Sequence, residues 1–316
     1  MVCACSVLNT RLKLHVAVAA TVLAALAGQG ALAAPSGVPA PASTQLATTS
    51  PDTPEALQEV TVTAHHTELR KRISEFVSQI AAVENEEGLA RWKAPVCPLV
   101  SGLTKEEAEF IVGRISEITR EAGAPLAGKD CHPKNLYVLI HPHPKELLQA
   151  MATRNRAFTV GNDDTPPEVF DRLLAMSQAV RVWYTTAERT LNGTVFVRGP
   201  NDPPPVMRTT GSSTDNGVVW QLAHVFVVVD QTRLNGVTRG QLADYVGMVA
   251  LADVKSGANL GSAASILKLF DGSPEAAQKG MSEWDLAFLK SLYSTDQKSK
   301  LQRNEIAREM EHEIAP

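Results

Sequence analysis

Residues 225–229 read Val-Phe-Val-Val-Val, and after a turn at Asn235-Gly236 residues 238–247 read Thr-Arg-Gly-Gln-Leu-Ala-Asp-Tyr-Val-Gly. Five consecutive apolar residues, mostly β-branched, fit a strand covered on both faces, because a half-exposed strand would alternate polar and apolar. Thr238 followed three residues later by Gln241 is a capping box, in which each side chain satisfies a free backbone N–H at a helix start. The stretch therefore predicts a central strand, a tight turn and a capped helix running to about Ala252.

The same signals recur outward from this centre. Thr104-Lys105-Glu106-Glu107 is a second capping box, with Ile111, Ile115 and Ile118 as its buried stripe and Gly123 and Pro125 as its stop. Leu136–Ile140 is a second buried strand, and Glu146–Met151 begins a short helix. Val182–Thr185 and Thr194–Val197 flank Asn192-Gly193, a hairpin signal. Asn162–Pro167 reads as a turn, and 199–217, with three consecutive prolines, as a mobile loop. Ser282–Asp285 caps a helix carrying Trp284, Phe288 and Leu292, and a charged helix from Lys298 to Ile314 presents Ile306, Met310 and Ile314 on one side. Upstream, Leu69, Ile73, Phe76, Val77 and Ile80 predict a helix over Thr67–Leu89, followed by an extended segment from Trp92 to Pro98. The sum is an α+β fold, a small mixed sheet packed by several helices.

Within the capped helix, Leu242, Ala243 and Gly247 fall in register with the pattern His-Glu-Leu-Ala-His-x-x-Gly of zinc proteases of the zincin class. There, two histidines one turn apart hold zinc and the glutamate activates water. Downstream, Asp285, Leu289, Leu292 and Tyr293 match Thr-x-x-Asp-x-x-x-Leu-x-x-Leu-Tyr. The chain over 91–316 thus resembles uncharacterised exported bacterial proteins with a degenerate zincin-like domain. The resemblance implies a zincin-like scaffold whose site is dismantled. Gly240 stands at the first histidine, Gln241 at the glutamate and Asp244 at the second histidine. Glycine has no ligand atom and a Gln amide cannot deprotonate water, so no catalytic residue and no cofactor is assigned.

The N-terminus indicates export. Arg11 and Lys13 precede a 13-residue apolar run, Leu14–Leu26, and the small residues Ala31-Leu32-Ala33 follow it; no acidic residue occurs before Asp52. This is the order of a secretory signal, and the run is shorter than the roughly 20 residues of a spanning helix. Residues 1–33 are read as the signal. Their removal takes away two basic and no acidic residues, shifting the formal charge from −4 to −6. Residues 34–58, rich in Ala, Pro, Ser and Thr, are a disordered tether. Residues 59–90 hold a β-prone segment and the leading helix, and 91–316 the main domain. Glu59–Ala64 also resembles the Val-Thr-Ala segment through which TonB-dependent outer-membrane receptors meet their energising partner.

Of four cysteines, Cys3 and Cys5 leave with the signal. Cys97 and Cys131 remain, and in an exported chain two cysteines suggest one disulfide; a catalytic thiol or a pair of metal thiolates are the rivals. His132, His141 and His143, with His224, are the candidate metal ligands, although Pro142 and Pro144 favour a solvated exit from the strand. His224 is placed as an edge residue at the start of the apolar strand. There is no G-x-S-x-G, no Walker loop and no G-x-G-x-x-G. Ser212-Ser213, Asp163-Asp164 and the aromatics Trp183 and Tyr184 are weaker candidates. With 34 acidic and 30 basic residues and no long basic run, nucleic acid is not an expected partner. A composition of 44% hydrophobic and 20% charged residues excludes a wholly disordered or fibrous chain. The expected role is a non-catalytic protein of the periplasm or medium, with an envelope or extracellular protein partner and no transmembrane span after signal removal. The alternative is a hydrolase with a displaced metal site at His132, His141 or His143.

Overall fold

In the computed structural model, the longest strand, β6 (Val218–Asp230), is the axis of a six-stranded mixed sheet. The structure describes residues 54–81, 88–153, 167–190, 195–196, 218–255, 257–272, 278–297 and 301–315. The expected signal, most of the expected tether, the turn before Pro167, Asn192-Gly193 and the 199–217 loop lie outside them.

On one side, β6 runs parallel to β3 (Leu136–His141), which runs parallel to the edge strand β2 (Pro98–Ser101). The two-residue β1 (Arg91–Trp92) joins β6 further back. On the other side, β6 is antiparallel to β4 (Val180–Thr190), with an irregularity between Thr185 and Thr186. The hairpin expected around Asn192-Gly193 is present as the antiparallel pair β4–β5 (Val195–Phe196), with Arg189 opposite Val195. This is an α+β fold, as the sequence predicts.

The apolar run of β6 is unbroken because both faces are covered. Val225, Val227 and Val229 face the larger core with α1 (Pro54–Ile80), α2 (Lys105–Glu121), α5 (Arg239–Leu251), α6 (Glu283–Ser294) and α7 (Gln302–Ile314). Phe226 and Val228 face a smaller core with α3 (Pro144–Thr153) and α4 (Pro167–Ala175). There Tyr137, Phe226 and Trp183, register partners on three neighbouring strands, stack at 4.8 and 4.5 Å. Such cross-strand aromatic pairs pin register as well as bury area.

Helix α5 is apolar almost all round, which suits a helix between a sheet and other helices. Gly247 permits its closest approach to α2: a Cβ there would lie 2.6 Å from Ile118 Cδ1. Helix α1 buries Ile73, Phe76, Val77 and Ile80; Phe76 meets Trp284 and Phe288 edge-on. Arg70 pairs with Glu311 at 2.9 Å, tying α1 to α7.

Three expectations change. Glu59–Ala64 is helical, within α1, and so are residues 54–58 of the expected tether. β-propensity acts through pairing and packing on a sheet; this segment pairs with no strand, and its backbone bonds are made inside the helix. Helix α1 ends at Ile80 rather than Leu89, where Ala81 makes a bridge to Val254. Helix α4, for which the sequence reading names no element, begins at Pro167, the last residue of the expected turn; its signals are Pro167 at the first helical position and Phe170, Leu173 and Leu174 at helical spacing.

Candidate functional site

The start of α5 is built as its capping box predicts, and that construction occupies the residues at the zincin positions. The Thr238 hydroxyl accepts from Gln241 N–H at 3.2 Å, and Gln241 Oε1 accepts from Thr238 N–H at 2.9 Å. Gln241 Nε2 donates to the carbonyl of Gln278 at 2.8 Å, so the amide is used at both ends. Asp244 is buried. Its Oδ1 accepts from Arg114 Nε at 2.5 Å and its Oδ2 from Met281 N–H at 2.8 Å. The ion pair raises the Arg114 pKa. Gly280 makes room for this carboxylate, since a Cβ there would lie 2.6 Å from Asp244 Oδ2. Gly240 contributes no side-chain atom.

The downstream matches also have structural employment. The Asp285 carboxylate, fully buried, accepts four bonds: from Ser265 Oγ (2.5 Å), Ile266 N–H (2.8 Å), Ser282 N–H (2.9 Å) and Ser282 Oγ (2.8 Å). Burial still pushes its pKa up, against the pull of those donors. Leu289 and Leu292 are core residues. Tyr293 Oη donates to the Leu251 carbonyl at 2.7 Å and accepts from Trp92 N–H at 3.3 Å, joining α6 to the end of α5 and to β1.

Cys97 and Cys131 form a disulfide, Cα atoms 5.8 Å apart. Cys97 N–H donates to Asn135 Oδ1 at 2.7 Å, so the bridge is anchored at the start of β3. The thiol and thiolate alternatives end there, because neither sulfur is free.

The histidines do not form a ligand set. His132 and His143 are exposed. His141 and His143 have ring centroids 6.2 Å apart, and His141 Nδ1 accepts from the backbone N–H of His143 at 3.0 Å. Among the described residues no group of three His, Cys, Asp or Glu side chains is placed to hold a metal ion. His224 is not an edge residue: it sits within β6 opposite Thr185, its Nδ1 is buried without a hydrogen-bond partner among the described residues, and burial lowers its pKa. The run of valines after it drew the expected strand start too late.

Among the described residues a concave site lies elsewhere, in a cavity of about 410 Å³ between β4 and α5. Its floor is Val180, Val182 and Tyr184 from β4 and Tyr245 and Val249 from α5; Leu267 and Phe270 close the far side. Gln178, Arg233, Lys255 and Asp271 stand at its rim. The mouth adjoins the carboxyl end of β6, because Arg233 follows that strand's last residues and residues 177–179 lead into its antiparallel partner. Crevices at strand carboxyl ends are where open sheets bind ligands. Tyr184 Oη donates to the Val249 carbonyl at 3.0 Å and accepts from Val254 N–H at 3.4 Å. Tyr245 meets Phe270 edge-on at 5.2 Å. Burial, reinforced by Asp271, drives the Tyr245 pKa upward, and burial reinforced by Asp253 does the same to Tyr184. Both phenols therefore stay protonated donors at neutral pH. Asp253, just past α5, has its own carboxyl pushed up to about 6 by burial.

Of the aromatic pair Trp183–Tyr184, the second lines this cavity and the first belongs to the opposite core. Alternation along β4 separates them. Tyr245, Phe270, Arg233 and Asp271 carry no motif, and the fold assembles them from separate segments. Among the described residues no helix is long and apolar enough to cross a membrane. Compared with known proteins, the chain matches no family model, no curated protein and no solved structure.

Proposed function

We propose that this chain is an exported, non-catalytic binding protein on a degenerate zincin-like scaffold. One observation carries the reading: Gln241 and Asp244, at the positions of the zincin base and second histidine, already spend their polar atoms on Thr238, Gln278, Arg114 and Met281. A metal or a water molecule there would have to displace bonds that hold α5 to its neighbours. The disulfide fits an oxidising compartment outside the cytoplasm, as the leader-like N-terminus does. A scaffold whose reactive positions are structurally engaged can still bind a partner, since fold does not fix function.

The test is metal content and hydrolytic activity of the exported chain, prepared without an affinity tag. Elemental mass spectrometry is expected to find no transition metal at one per chain, and peptide and ester substrates to remain intact. A stoichiometric metal lost on His132→Ala, His141→Ala or His143→Ala would replace this reading with a displaced-site hydrolase. So would hydrolysis that follows a defined side chain. Cell fractionation tests export: signal in the cytoplasmic fraction alone would overturn that part.

A further inference from the structure

We infer that the cavity between β4 and α5 is a ligand site, and that its ligand is a compact neutral molecule with an aromatic or branched apolar body and one hydrogen-bond acceptor, of the ketone or ester class. The inference rests on the non-catalytic binding reading and supplies its site. The volume of about 410 Å³ falls within the roughly 300–1,000 Å³ typical of small-molecule pockets. The floor is deep: Val180, Val182, Val249 and Val254 line the cavity, are buried and belong to the main core. Tyr245 and Phe270, edge-on at 5.2 Å, add an aromatic wall. An apolar body placed there removes its own surface and that of the wall from water, which is the main favourable term in such binding.

Depth decides against a charged ligand. Burial is the largest cause that drives the Tyr245 and Tyr184 hydroxyls away from ionisation. A formal charge carried to the same depth meets the same desolvation cost, whatever its sign. A neutral molecule avoids it. Tyr245 then chooses the polar group. Tyr184 spends its proton on the Val249 carbonyl at 3.0 Å and accepts from Val254 N–H at 3.4 Å, so its hydroxyl is engaged on both sides. The Tyr245 hydroxyl has no hydrogen-bond partner among the described residues and stays a protonated donor. A purely apolar ligand laid over it would strand that donor away from water, at a cost comparable to a lost hydrogen bond. A carbonyl oxygen accepts from it and brings no proton of its own to be satisfied elsewhere.

Calorimetric titration of the exported chain with acetylnaphthalene, naphthoate and naphthylmethylammonium compares a neutral group and both charges on the same ring. One acetylnaphthalene is expected to bind per chain, at least about tenfold more tightly than either ion, a gap of about 1.4 kcal/mol. Tyr245→Phe removes the hydroxyl alone. It should weaken acetylnaphthalene about fivefold, the worth of one neutral hydrogen bond, and leave ethylnaphthalene, the same shape without an acceptor, unchanged within about twofold. Ala258→Trp, which fills the cavity from its lining loop, should abolish saturable binding of both neutral probes. Absence of saturable acetylnaphthalene binding to the wild-type chain would overturn the site, and an ion bound as tightly would overturn the ligand class; neither needs a variant that folds. Equal losses of the two neutral probes on Tyr245→Phe would overturn the acceptor, and full binding by Ala258→Trp would place the probes outside this cavity. Naphthyl acetate separates this inference from the reading beneath it. Turnover blocked by acetylnaphthalene would end the non-catalytic reading yet leave the pocket assigned. No turnover and no binding would end the pocket and leave that reading intact.

Discussion

The Arg114 guanidinium on α2 meets the Asp244 carboxylate on α5 at 2.5 Å, at the place where the zincin pattern carries its second histidine. The Asp244 side chain is 7% exposed and that of Arg114 32%. The pair therefore differs from a surface salt bridge: the acid is desolvated, and its second oxygen holds Met281 N–H at the entry to α6. Removing either partner leaves the other short of a bond it needs. Asp244→Ala and Arg114→Ala are each expected to lower unfolding stability by about 2–3 kcal/mol, with a coupling of about 1–2 kcal/mol in the double-mutant cycle. Urea denaturation of the four proteins measures this. A neutral Asp244→Ala would free Asp244 from its structural role and reopen it as a site residue.

Gly102 gives a sharper expectation. It follows β2 with φ +93°, in the left-handed region, and a Cβ there would lie 1.8 Å from the Ile140 carbonyl oxygen of β3. Backbone cannot yield as a flexible side-chain end can. Gly102→Ala should cost about 3 kcal/mol or more, combining positive-φ strain with a clash against a paired strand. Hydrogen exchange should show lost protection in β2 and β3 first. A variant with wild-type melting and exchange would contradict this backbone path.

The disulfide closes a loop from β2's start to the approach of β3, 34 residues apart in sequence. Cys97→Ser/Cys131→Ser is expected to lose about 2–4 kcal/mol, chiefly because the unfolded chain regains the freedom that the cross-link removes. Guanidinium midpoints of the oxidised protein, the reduced protein and the double variant measure it; the last two should agree. An oxidised midpoint equal to the others would mean that the bridge is absent in the purified protein.

What the sequence disclosed and what it hid divide along one physical line. Capping boxes at Thr104, Thr238 and Ser282 are local, and each starts a helix where its residues say. The β6 apolar run and the Asn192-Gly193 hairpin are local too, and both elements are present. Glu59–Ala64 misled because alternating Val and Thr favours a strand only where another strand is at hand. His224 misled because the polar-to-apolar change looks like a strand end, whereas β6 starts further back, at Val218. The cavity could not be read at all. Its floor joins residues of β4 to residues some 60 positions later on α5, and only the β4–β6 pairing and the packing of α5 on that sheet bring them together. The residues at the start of α5 were legible in the sequence, but not their employment: that Asp244 faces Arg114 depends on how α2 crosses α5 at Gly247.

Asp253 makes the pH dependence of stability testable. Its carboxyl is raised from 3.8 to about 6 by burial alone, so the folded state disfavours its charged form. For an acid whose folded pKa is raised, the favourable contribution is full below the unfolded value of 3.8. It is lost as pH rises through about 6, after which the burial penalty is constant. Asp253→Asn removes that penalty. At pH 8 the variant should be more stable than wild type by about 1–2 kcal/mol, given about 1.4 kcal/mol per pKa unit and a side chain that still reaches some water. At pH 4 the two should unfold at nearly the same urea concentration. The gap should open between those limits, with its midpoint between 4 and 6. A gap that stays constant from pH 4 to 8 would mean that Asp253 is solvated in the folded protein. A destabilised variant at pH 8 would mean that its charge is held by a partner rather than opposed by burial.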